Sequence, residues 1–239
     1  MKAILYIGHG TRSKKGADEA RSFIARVSEC VDVPIQEISF LELTDPSIED
    51  GFRQCVKRGA TEITVVPLFL LAAGHIKQDI PNVLESLSER YPDISIVVKD
   101  PFGVQGKILD AVAELVRETV GTMAEQDQVL IVGRGSSDPD TLADFSLIVS
   151  GMKKRLDITG VSVCFLAAAE PRFQASLTAV MEKAEGKVIV IPYLLFSGLL
   201  TAEVTSEIRK WSKLGREIYH TGILSSHRVI RDVVVGRAT

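Results

Sequence analysis

A chain of 239 residues that is 46% hydrophobic can bury one sizeable core or two small ones. Its net charge of -3 argues against nucleic-acid binding, which needs an excess of clustered Lys and Arg. The cysteines Cys30, Cys55 and Cys164 are scattered and make no C-x-x-C pair, which leaves no disulfide framework, zinc knuckle or iron–sulfur site. The N-terminus is too short in apolar residues for a signal sequence. The longest apolar stretch, residues 65–73, contains a proline and falls far below the ~20 residues of a membrane helix. The expectation is a soluble cytoplasmic protein with neither membrane nor nucleic-acid partner.

Taken in chain order, the sequence alternates strand with helix. Residues 4–8 read as a buried parallel strand, followed by an apolar stripe at Ala17, Ala20, Phe23, Ile24 and Val27. Residues 34–40 read as the second strand. Ile48, Phe52, Cys55 and Val56 mark the next helix, with Asp45-Pro46 as N-cap and first helical residue and Gly59 as its stop. Residues 63–70 make a third strand, residues 80–90 a helix ending before Pro92, residues 94–98 a fourth buried strand, and residues 108–120 a helix. This alternation implies right-handed crossovers in a doubly wound sheet.

The pattern then restarts. A shift of 125 residues lays LYIGHGT on LIVGRGS, FLELTDP on FLAAAEP, and ITVVPLFLL on VIVIPYLLF. One offset serving three separated segments identifies an internal duplication. The fold class is therefore α/β, with two similar doubly wound parallel-sheet domains, residues 1–122 and 123–239, meeting near VGTMAEQDQ.

The duplication also separates chemistry from fold. At the same offset His9 becomes Arg134, Glu42 becomes Ala167 and His75 becomes Leu200. Three side chains able to bind a divalent metal occur in the first copy and none in the second, so the fold does not need them. His9 follows strand 1, Glu42 closes strand 2 and His75 lies beyond strand 3. In the strand order 2-1-3-4 these positions converge on the crevice at the switch point, where open α/β sheets bind ligands. Two imidazoles and a carboxylate suit Fe, Co, Ni or Zn and leave coordination positions open.

Other motifs have plainer readings. Gly8 and Gly10 permit a tight turn, as does Gly135 in GRGSSDPD, a segment that reads as a helix start with Asp138 capping and Pro139 following. His220 and His227 lack a partner at useful spacing and read as structural or surface residues, and Cys55 as packing. A histidine phosphatase would place Arg directly before its nucleophilic His, where this chain has Gly8.

ILYIGHGTR, ISFLELTDPSIEDGF, VVPLFLLAAGHIKQDIP and GRGSSDPD together resemble the sirohydrochlorin chelatases, in particular the long two-domain bacterial ferrochelatases, relatives of the cobaltochelatases of cobalamin synthesis. The resemblance implies a class II chelatase fold and a metal site at His9 and His75 with Glu42 assisting. It implies a substrate cleft between the domains, touching Asp45 and the run Leu70, Leu71, Ala72, Ala73, Gly74 and His75. The histidine-rich stretch of some cobalt-linked members is missing.

Inserting a divalent metal into a tetrapyrrole removes two pyrrole protons while a cation is handed over, and neutral imidazole can serve either task. His9 and His75 are the expected metal-holding and proton-accepting groups, with Glu42 orienting or relaying. Sirohydrochlorin carries eight carboxylates, so cationic and polar groups should ring it: Arg12, Lys14 and Lys15 after the first motif, Arg134 and Ser136-Ser137 in the second copy. The metal, Fe2+ or alternatively Co2+ or Ni2+, is then a substrate, no organic cofactor is expected, and internal duplication suggests a monomer. A non-catalytic carrier of metal or tetrapyrrole would use the same ligands.

Overall fold

The structure, a computed structural model, describes the backbone of residues 1–239 and every side chain except that of His75. It contains two four-stranded parallel sheets. The first is built from β1 (Lys2–Gly8), β2 (Ile35–Phe40), β3 (Glu62–Pro67) and β4 (Ser95–Val98) in the order β2-β1-β3-β4. The second, from β5 (Gln128–Gly133), β6 (Val161–Phe165), β7 (Val188–Pro192) and β8 (Ile218–His220), has the order β6-β5-β7-β8. The registers repeat with the sequence: Gly8 pairs with Phe40 as Gly133 does with Phe165, and Ile7 with Pro67 as Val132 does with Pro192. A duplicated doubly wound sheet is thus what the chain forms.

The helices follow from their stripes. In α1 (Lys14–Ser28) the buried residues include the expected Ala17, Ala20, Phe23, Ile24 and Val27, and Ser13 caps it by accepting from the Gly16 N–H. In α2 (Ile48–Lys57), Ile48, Phe52 and Cys55 enter the core of the first sheet. Its start differs from the expected Asp45-Pro46. Ser47 is the N-cap, because its hydroxyl accepts from the Asp50 N–H while the Asp50 carboxylate accepts from the Ser47 N–H, a reciprocal box that satisfies two end groups. Gly59, at φ +89°, ends the turn after it.

Two strands also depart from expectation. β3 stops at Pro67, short of residue 70, because its neighbour β1 ends at Gly8 and leaves nothing further to pair with. Beyond it, the carbonyls of Phe69 and Leu70 accept from Phe102 and Gly103. β4 is an edge strand, not a buried one: Val97 is 42% and Val98 51% exposed. A π-helical turn, His75–Asp79, precedes α3 (Ile80–Arg90). The remaining helices are α4 (Gly106–Val120), α5 (Pro139–Leu156, capped by Asp138 as expected), α6 (Phe173–Lys183), α7 (Leu199–Lys213) and α8 (Arg228–Ala238).

Packing divides the chain differently from repetition. One compact unit comprises Met1–Gly103 and Ile230–Thr239; the other comprises Val104–Val229. The helix closing each repeat, α4 or most of α8, belongs to the unit of the other repeat. In the first unit, Arg237 donates to the Pro101 carbonyl and lies near Asp100. In the second, α4 packs on α5, and Arg155 of α5 pairs with Asp110 of α4 at 2.6 Å. Sequence periodicity places helices but says nothing about which sheet receives them.

Candidate metal centre

The carboxyl edge of the first sheet begins where β1 gives out. The His9 carbonyl accepts from the Glu42 N–H at 3.1 Å and the Gly8 carbonyl from the Leu41 N–H at 2.9 Å, so the exits of β1 and β2 run side by side. Gly10 makes this possible. It has φ +95°, and a Cβ there would lie 1.7 Å from the Glu42 carbonyl oxygen. Only glycine accepts both the left-handed backbone and that approach. Two residues further on, the Thr44 hydroxyl accepts from the Thr11 N–H at 2.9 Å and donates to the Thr11 carbonyl at 2.8 Å.

This double tie holds His9 and Glu42 together. Nδ1 of His9 lies 3.4 Å from Oε1 of Glu42, longer than an ordinary hydrogen bond, with side-chain exposures of 23% and 45%. The imidazole is tilted against Phe69, ring centroids 6.1 Å apart, which limits its rotation. An imidazole and a carboxylate, rigidly mounted and open to solvent, can share a divalent cation and accept protons.

The third expected ligand is His75. The Leu68 N–H bonds to the Ile7 carbonyl, and the Ile76 and Lys77 N–H groups both bond to the Ala73 carbonyl, which opens the π-helical turn that begins at His75. The second copy has plain α-helix at the matching Leu200 in α7. Single π turns recur at functional sites. The side chain of His75 lies outside the described residues, and so does its expected convergence on His9. Among the described residues no group of three or more His, Cys, Asp or Glu side chains forms a metal cage.

The other expected residues divide by exposure. Arg12, Asp45 and Gly74 are exposed, Leu70, Ala72 and Ala73 half-buried, and Leu71 buried at 8%. The Asp45 carbonyl accepts from Arg21 at 2.6 Å. In the second unit, the Arg134 carbonyl accepts from the Ala167 N–H at 2.8 Å, reproducing the His9–Glu42 backbone link, and the Arg134 side chain is exposed. The Ser136 hydroxyl accepts from the Asp138 N–H at 3.1 Å and so shapes the turn.

Sequence reading missed the Thr11–Thr44 tie, although each threonine stands two residues after a candidate ligand. It also missed a partner for His227, which is buried at 8% exposure with Nε2 3.0 Å from Glu114 and Nδ1 accepting from the Val229 N–H. A contact across 113 residues leaves no local signal. His220 is half-buried, its Nδ1 accepting from the Gly222 N–H. Burial pushes the Cys55 thiol up to about 12, in keeping with a packing role.

A family model described as CbiX matches residues 3–119 and 128–239, one stretch in each repeat. The chain is 42% identical over 238 residues to a sirohydrochlorin ferrochelatase of Priestia megaterium, covering 96% of this chain and 90% of that one. Among solved structures, SirB from Bacillus subtilis with Fe3+ superposes with a TM-score of 0.86 at 36% identity, covering 99% of this chain and 93% of that one. The sirohydrochlorin chelatase SirB from Bacillus subtilis subspecies spizizenii in complex with cobalt gives a TM-score of 0.83 at 34% identity, with coverages of 99% and 93%.

Proposed function

Because the chain belongs to the CbiX family, we infer that it is a sirohydrochlorin ferrochelatase, inserting Fe2+ into sirohydrochlorin to give sirohaem. The observation that carries the reading is the His9–Glu42 pair at the carboxyl edge of the first sheet, mounted on a backbone that the second repeat reproduces without either ligand. A fold-maintaining pair would have been kept twice.

His9 and His75 hold the incoming metal and take the two pyrrole protons in this reading, and Glu42 orients His9 and relays protons to solvent, as its 45% exposure permits. A dication enters as two protons leave, so the charge of the ring system is unchanged. Protonated imidazole neither binds metal nor accepts a proton, so insertion should fail as acid charges the histidines. Arg12, Arg134 and Ser136 are assigned to the substrate's carboxylates, and Asp45 with Leu70, Ala72, Ala73 and Gly74 to its remaining edge. Leu71, being buried, supports that run from beneath. The protein acts as a monomer in the cytoplasm. Among the described residues, no helix is long and apolar enough to cross a membrane.

A second reading, insertion of Co2+, is favoured by the cobalt complex of a structural relative and by a donor set of imidazole and carboxylate that fits either ion. One experiment separates them. Sirohydrochlorin incubated with the protein and with Fe2+, Co2+ or Ni2+ in turn, followed by absorbance, should show fastest insertion for Fe2+. Fastest insertion of Co2+ would favour the second reading, and binding without acceleration over the uncatalysed rate would leave a carrier.

A further inference from the structure

We propose that Leu43 is a substrate-contacting residue that packs on the apolar face of the macrocycle and positions it beside the His9–Glu42 pair; the proposal rests on the insertion reading above. Leu43 directly follows Glu42, is 52% exposed, and has φ +62°, a left-handed backbone that non-glycine residues rarely adopt.

The backbone twist belongs to the fold. On one side of Leu43 the Glu42 N–H is bonded to the His9 carbonyl, and on the other the Thr44 hydroxyl is bonded twice to Thr11, so residue 43 has no freedom to relax. The second repeat shows the same twist at Ala168, φ +49°, beside the matching Ala167–Arg134 link. Where only the turn matters, then, a small residue stands at this position.

The side chain is a separate matter. A branched, apolar residue at a left-handed position strains the backbone, and a half-exposed one returns little burial to offset it. The backbone strain is common to both repeats, but the exposed apolar side chain beyond Cβ occurs only in the repeat that carries the candidate metal ligands, which points to a ligand that covers it. A tetrapyrrole has flat apolar faces and carboxylates only at its periphery, so Leu43 matches its face and not its rim. Its place one residue from Glu42 sets the face beside the His9–Glu42 pair.

The test uses the full chain with Leu43→Ala, Leu43→Gly and Leu43→Met. Four readouts are taken: metal-free sirohydrochlorin titrated by its absorbance change, Co2+ titrated alone, insertion kinetics, and thermal melting. Leu43→Ala should weaken sirohydrochlorin binding and raise KM by about tenfold, leave Co2+ affinity unchanged, and be rescued by Leu43→Met. Leu43→Gly should share the binding defect while raising Tm, because glycine relieves the backbone. Wild-type sirohydrochlorin affinity in Leu43→Ala overturns the proposal, as does a parallel loss of Co2+ affinity, which would mean that Leu43 acts only through Glu42. Wild-type protein that binds sirohydrochlorin without inserting metal defeats the functional reading, and the binding titration then still decides Leu43. Wild-type protein that binds no sirohydrochlorin defeats both.

Discussion

His9 and Glu42 sit just past their strands, where side chains meet solvent and not core, so their removal should separate activity from stability. His9→Ala should cut metal insertion at least about a hundredfold while moving Tm by no more than about 2 °C. Glu42→Gln, which keeps a polar group of the same shape, should cost roughly tenfold. If Glu42→Gln proves the harsher change, Glu42 is the principal base. Gly10→Ala should behave differently: with φ +95° and the Glu42 carbonyl in the way, it should cost on the order of 1 to 3 kcal/mol in urea unfolding and displace Glu42, lowering Co2+ affinity as well. An unaltered urea midpoint would show that the loop simply yields. At this scale the candidate ligands stood out in the sequence because duplication supplied an internal control at Arg134 and Ala167. Leu43 was not readable, since a backbone angle leaves no mark on residue type when the residue contradicts its own preference.

Among the elements, α2 offers the clearest test of local structure. Ser47→Ala removes half of its capping box and should destabilise the protein by about 1 kcal/mol, seen as a lower urea midpoint at unchanged m-value. The hydroxyl was overlooked because Asp45-Pro46 offers a familiar helix-start signature two residues too early, whereas the box needs the spacing Ser47 to Asp50. Strand ends were misplaced for a related reason: an apolar run such as residues 63–70 cannot reveal where its neighbour stops pairing. β8 carries a prediction about pH. Burial, with Arg209 adding to it, holds the His220 imidazole below its ordinary range. The unfolded chain therefore takes up a proton that the folded chain resists, and stability should fall as pH drops from about 6.5, the ordinary histidine value, until the folded group also titrates. His220→Gln should flatten this loss in melting curves taken between about pH 7.5 and 5. An equally steep decline in the variant would assign it to other groups. Asp50, held low by hydrogen bonds from Ser47 and Arg53, titrates below that window.

For the molecule as a whole, the exchange of α4 and α8 governs which pieces can stand alone. The unit Val104–Val229 is continuous, and a fragment of those residues should melt in one cooperative step. A fragment of residues 1–122 should not. It keeps α4, with buried Ile108, Leu109, Val112 and Val116, but lacks the α5 and β8 on which that helix packs. Size exclusion and far-UV circular dichroism would check both, and a monodisperse, folded 1–122 fragment would contradict this account. Deleting residues 230–239 removes buried Ile230, Val233 and Val234, on the order of 5 kcal/mol of apolar burial, comparable with the whole stability of a small domain. The repeats were visible in the sequence because strands and turns carry local signatures. The exchange of closing helices was not, because an amphipathic stripe fits either of two homologous sheets.

That exchange also orders events in time. β1, which leads into His9, is synthesised before residues 104–229, yet its unit is complete only when residues 230–239 have been added. At roughly 5 to 20 residues per second, synthesis of the intervening segment, Val104–Val229, takes on the order of 10 s. During that interval the continuous unit is the first to be made whole, and a nascent chain holds its imidazoles on an unfinished support. A metal site mounted on His9 and Glu42 would therefore gain its complete support only once residues 230–239 have joined the first unit.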